Sequence, residues 1–129
     1  MENLFDANAW AIAYIAAHED RALLDDTHPH HLAAYYFMEE LVGPIAEECW
    51  QGILVVVRRK PSTYVLGMLA AGPVEDLITY SGLEFIDRIE LEARQSPDFR
   101  RMLHGAWEIG NTEIWARVEA ARGPSVSAT

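Results

Sequence analysis

The chain has one cysteine, Cys49, and one lysine, Lys60, among 129 residues. A lone cysteine excludes an internal disulfide and fits a reducing cytoplasm. It also excludes the paired-cysteine spacings of structural zinc sites. Ten basic residues face 20 acidic ones, for a net charge of −10. The deficit is spread along the chain, −6 over residues 1–64 and −4 over 65–129. Phosphate-backbone binding needs clustered Lys and Arg, which are missing, so no nucleic-acid partner is expected. Apolar runs are short and broken by charge, so no membrane span is expected. MENLFDANAW has no basic segment leading into an apolar one, so no secretory signal is expected. No glycine-rich phosphate loop, HExxH-type metal motif or nucleophile–base pair is present.

Half of the residues are hydrophobic, with 4 Trp, 5 Tyr and 4 Phe, enough for one core without staples. Periodicity and punctuation predict an all-α fold: a single compact domain of seven or eight short helices over residues 1–122, with a disordered tail over 123–129. Asp6 or Asn8 caps a first helix that ends near Leu24. DDTHPHH forms a loop, and LAAYYFMEELV a helix stopped by Gly43. Pro44 opens a helix that ends before Pro61, and within it ILVVV reads as helix because no second strand-like run exists to pair with it. Ser62 caps the next helix, which Gly72-Pro73 breaks. Ser81 and Glu84 have capping-box spacing for a new helix, Ser96-Pro97 opens another, and Asn111 caps the last after Gly110. Phe85, Ile89, Phe99, Leu103 and Trp107 should meet in the core. Gly43-Pro44-Ile45 and Gly72-Pro73-Val74 hint at a degenerate helical-hairpin repeat.

Trp50 to Leu54, Pro61-Ser62, the block LAAGPVEDLITYSGLEFIDRIELEARQSPDFRRMLHGAW and then EIWARV resemble a family of small uncharacterised bacterial helical proteins, a domain of unknown function. The pattern is GPxEDL…FIDRxE…PxFRxxL…W. It falls here on Gly72, Pro73, Glu75, Asp76, Leu77, Phe85, Ile86, Glu90, Pro97, Phe99, Arg100, Trp107 and Trp115. Ser96 stands before Pro97 where the pattern has Asp, and either residue caps a helix. The resemblance covers roughly the second half and implies a helical fold; it brings no catalytic residue, substrate or cofactor.

Candidate chemistry is sparse. His18, His28, His30 and His31 could hold zinc or nickel, but three histidines within four residues do not turn easily to one ion. Glu75 and Asp76 read as first-turn acids favoured by the helix dipole. Cys49 reads as a buried, inert thiol. Asp76, Asp87, Arg88, Arg100 and Arg101 read as an ion-pair network in preference to an anion site at Arg88 and Arg100. Tyr35-Tyr36-Phe37 covers more than one helix face, so at least one ring should be exposed as a contact for a partner, beside Glu39 and Glu40. The expected function is a non-catalytic acidic protein-binding module, an accessory or immunity-type protein acting on a basic partner, with no cofactor. The alternative is a metal-dependent helical enzyme built on His18, His28, His30 and His31.

Overall fold

In a computed structural model the chain is described at residues 5–19, 33–34, 36–37, 40–108 and 111–124. The helices are α1 (Ala7–Glu19), α2 (Gly43–Arg58), α3 (Thr63–Leu69), a π-helical turn (Ala70–Val74), α4 (Glu75–Gln95), α5 (Pro97–Leu103) and α6 (Thr112–Arg122). No strand occurs among the described residues, and ILVVV lies inside α2. The GPSVSAT tail falls outside the described residues beyond Pro124, as does the Gly110 stop.

Most helix starts follow local cap chemistry. Asp6 Oδ1 accepts from the Ala9 N–H at 3.1 Å. Ser62 Oγ accepts from Val65 N–H at 3.3 Å, and Ser96 Oγ from Phe99 N–H at 3.0 Å. Asn111 Oδ1 takes two N–H groups, of Glu113 and Ile114, at 2.8 and 3.0 Å. Each cap satisfies donors that the first helical turn leaves unpaired. Pro44 sits in the first turn of α2, as its fixed φ and missing N–H favour.

The described residues hold fewer separate helices than expected, chiefly because the predicted break at Gly72-Pro73 does not break, while the one at Ser81 is a kink. From Thr63 to Tyr80 the helical backbone runs unbroken through Gly72-Pro73, and at Ser81 it turns non-helical, so two helical segments meet there at a kink. Gly72-Pro73 lies within the π turn, where the Glu75 N–H reaches five residues back to the Ala70 carbonyl. Ser81 is not a cap. It is a kink inside α4 (φ −139°, ψ 26°), and its hydroxyl donates to the Leu41 carbonyl at 2.7 Å. Gly43-Pro44 opens a helix and Gly72-Pro73 does not, so the two segments are not equivalent halves of a repeat.

One core cluster joins all the helices. The most extensive pairings are α4 with α6 and α1 with α2. Gly52 permits the second: a Cβ there would lie 2.7 Å from two ring atoms of Trp10. Phe85, Ile89, Phe99 and Leu103 are buried as expected. Trp107 is not; it follows α5 rather than continuing it and is 78% exposed. The ion pairs also differ from the expected set. Arg88 makes a two-pronged bond to Glu47 (2.7 and 2.9 Å) while its guanidinium lies over Trp50 and Phe85. Asp87 and Glu90 pair with Arg117 of α6, Arg101 with Asp98, and Arg100 donates to the Ala93 carbonyl. Arg88 and Arg100 therefore form no joint anion site. These pairs are partly to largely exposed, so solvent screening leaves them little weight in stability.

Candidate functional site

Trp10, Tyr14 and His18 recur every four residues along α1, a spacing that puts them on one face. Their rings meet in a ladder, with centroids 4.8 Å apart for Trp10–Tyr14 and 4.4 Å for Tyr14–His18. Phe37 meets Trp10 edge-on at 5.1 Å, and the indole N–H of Trp10 donates to the Ala33 carbonyl at 3.1 Å. Facing this ladder is the inner side of the π turn. Between them lies a cavity of about 370 Å³, whose other lining residues include Met68, Ala71, Gly72, Pro73 and Asp76. Small-ligand sites begin at about 300 Å³, and π-helical turns recur at functional sites.

Besides the Tyr14 hydroxyl, the lining carries two polar side chains that lack a partner among the described residues. His18 is 8% exposed, and neither ring nitrogen has a hydrogen-bond partner among the described residues. A buried polar group left unpaired costs about 1–3 kcal/mol. Burial pushes its pKa below the ordinary value, so the ring is neutral at pH 7. Asp76 is half-buried and has no ion pair among the described residues. Burial pushes its carboxyl pKa up. The expected help from a helix N-terminus is absent, because the helical π turn precedes Asp76. Glu75 is used differently: its Oε2 accepts from the Trp107 N–H at 2.7 Å.

No activated nucleophile accompanies this pair among the described residues. Cys49 lies behind the π turn, its thiol donating weakly to the Pro73 carbonyl at 3.8 Å. Burial, with Asp76 adding its charge, pushes that thiol well above its ordinary pKa, so no thiolate is available. The arrangement can hold a ligand, and Cys49 is not poised to attack one.

The residues singled out from sequence fall unevenly on this site. His18 lines it. His28, His30 and His31 lie outside the described residues, as do Tyr35 and Glu39. Tyr36 is 44% exposed, stacked on Phe5 with centroids 5.5 Å apart, and Glu40 is exposed. Phe37 is a correction: at 2% exposure it is a wall of the cavity and cannot be an exposed anchor, because Phe5 and Trp10 enclose it. Among the described residues no group of three or more His, Cys, Asp or Glu could hold a metal ion. Asp76 as a cavity residue and Trp107 as a surface residue were not foreseen. The four-residue spacing of Trp10, Tyr14 and His18 is a usable signal for the α1 wall of the cavity, and no local signal points to Asp76.

Fold and site together define a small all-helical protein with an aromatic-walled cavity at a π-helical turn. The chain belongs to a family of unknown function, DUF6869, whose profile matches residues 20–126. The match reaches further upstream than the second-half resemblance and stops just short of α1. No curated protein and no solved structure matches the chain.

Proposed function

We propose that the chain is a non-catalytic acidic module that binds a basic protein, in the manner of an accessory or immunity-type protein of a bacterial cytoplasm. The observation that carries this reading is Trp107. The other tryptophans are buried, at 7% (Trp10), 4% (Trp50) and 2% (Trp115), whereas Trp107 is 78% exposed. Exposing an indole forgoes one of the largest gains from burial, and tryptophan is the residue type most enriched at the energetic centres of interfaces. Glu75 fixes the backbone under it, and Glu108 beside it is exposed. An aromatic anchor with Glu75 and Glu108 next to it suits a basic surface, and the net charge of −10 adds steering from a distance.

The test is affinity capture from source cells at low salt, with wild type and Trp107→Ala side by side. Wild type should retain a basic protein that the variant loses, while both keep the same melting temperature. Equal capture by the two proteins, or no basic protein held by wild type, refutes the reading. The metal-dependent alternative has one observation in its favour, the unpartnered ring nitrogens of His18. Stoichiometric zinc, nickel or iron in tag-free protein, lost on replacing His28, His30 and His31, would establish it instead.

A further inference from the structure

The cavity between α1 and the π turn has no part in the Trp107 surface and calls for its own explanation. Its walls are aromatic and apolar: Trp10, Tyr14, Phe37 and Pro73. The indole N–H of Trp10 is already spent on Ala33. Among the described lining residues, the carboxylate of Asp76 and the imidazole of His18 are left to meet a ligand, with the Tyr14 hydroxyl beside them. No arginine, lysine or other cation among the cavity's described lining residues answers Asp76.

We propose that this cavity binds a small organic cation, an ammonium carried on an apolar or aryl body, with the charge at Asp76 and the body against Trp10, Tyr14 and Phe37. Electron-rich ring faces and a carboxylate form the usual recognition chemistry for ammonium groups. An anionic ligand is disfavoured by the same carboxylate and by the net charge of −10. A neutral apolar ligand would fill the volume and leave Asp76 and His18 as unanswered as before. The ring of His18 is neutral, so it offers one acceptor and one donor without repelling a cation. The π turn contributes shape: its extra residue widens the helix where the ligand's body would lie, and Gly72, with open space around its α-carbon, keeps that wall low. Asp76 follows directly on this turn, so the widened backbone and the charge come from one short stretch of chain.

The experiment follows the Trp10 indole N–H signal of the labelled full chain by NMR during titration. The probes are 2-phenylethylamine, its neutral counterpart 2-phenylethanol, the anion 3-phenylpropionate and tetramethylammonium. The amine should shift the Trp10 signal saturably, the alcohol should bind at least about tenfold more weakly, and the anion should not bind. Asp76→Asn should bring the amine down to the level of the alcohol. Because that change removes an unpaired, partly buried charge, the variant should melt no lower than wild type, which separates lost binding from lost folding. Trp107→Ala should leave amine binding unchanged, so failure here and failure of the protein-binding reading are distinguishable. The proposal is overturned if amine and alcohol bind alike, if Asp76→Asn retains the amine's affinity, or if neither cation shifts Trp10 up to about 10 mM. A divalent metal that occupies His18 and blocks the amine would also overturn it.

Discussion

At the scale of single residues, the burial of His18 couples folding to pH. Its folded pKa lies below the ordinary 6.5, so the folded state prefers the neutral ring while the unfolded state takes up a proton near 6.5. The sign is therefore fixed: the contribution is intact above pH 6.5 and is lost as pH falls below it. Glu47 acts in the same direction but at lower pH. Its bonds from Arg88 and Gln51 pull its pKa from 4.5 to about 2, so its contribution is lost between those values. Asp76 has the opposite sign, since its raised pKa means that ionisation works against the fold and protonation relieves it. The unfolding midpoint in urea should fall as pH is lowered from about 7.5 to about 5.5, and His18→Gln should flatten that fall. An unchanged slope in the variant would show that His18 is not its source. Asp76→Asn should raise the midpoint at pH 7. The sequence placed His18 with His28, His30 and His31 because they are the same residue type. What sets its behaviour is the four-residue step to Tyr14 and Trp10, together with walls supplied from Phe37 and Pro73. The helical step is readable from sequence, whereas the distant walls depend on the folded chain.

Among the elements, the caps were legible and the continuity was not. Ser62, Ser96 and Asn111 are read correctly because a cap is decided within three residues of the chain. Gly72-Pro73 carries a break signal that the fold overrides, whereas Ser81 does interrupt the helix, as a kink and not as a cap. The π turn absorbs the proline and keeps the helix running, while the Ser81 hydroxyl is committed to a carbonyl 40 residues away. Two substitutions separate these accounts. A capping box would make Glu84→Ala costly. In the folded chain Glu84 is exposed, so Glu84→Ala should change stability by no more than about 0.5 kcal/mol. Ser81→Ala removes the only described side-chain donor to the buried Leu41 carbonyl and should cost about 1–3 kcal/mol in urea unfolding. A neutral Ser81→Ala would show that the kink holds without its hydroxyl. The same reasoning explains Trp107. Its spacing from Phe99 and Leu103 fits one stripe, but α5 stops at Leu103 and the stripe stops with it.

At the scale of the whole molecule, charge and the exposed indole make separable contributions to binding a partner. The net charge acts before contact, so it belongs to the association rate. Trp107 acts after contact, so it belongs to the dissociation rate. The acids that can be reversed without disturbing the fold are those with no structural duty. Glu47 is excluded by its bond to Arg88, and Asp87 and Glu90 by theirs to Arg117. Glu40, Glu84 and Glu108 are exposed and appear in none of the ion pairs. Replacing these three by lysine changes the net charge from −10 to −4 with no described ion pair broken. Association with the basic partner should slow in that variant, and should slow in wild type as salt rises and the screening length falls below about 8 Å. Trp107→Ala should leave association nearly unchanged and speed dissociation by about tenfold or more, as loss of a central aromatic anchor does. Stopped-flow mixing at two salt concentrations reads both rates. If salt and charge reversal alter only dissociation, or if Trp107→Ala alters only association, the acidic field and the indole do not divide the work in this way. The Trp107 surface would then not be the anchor of the complex.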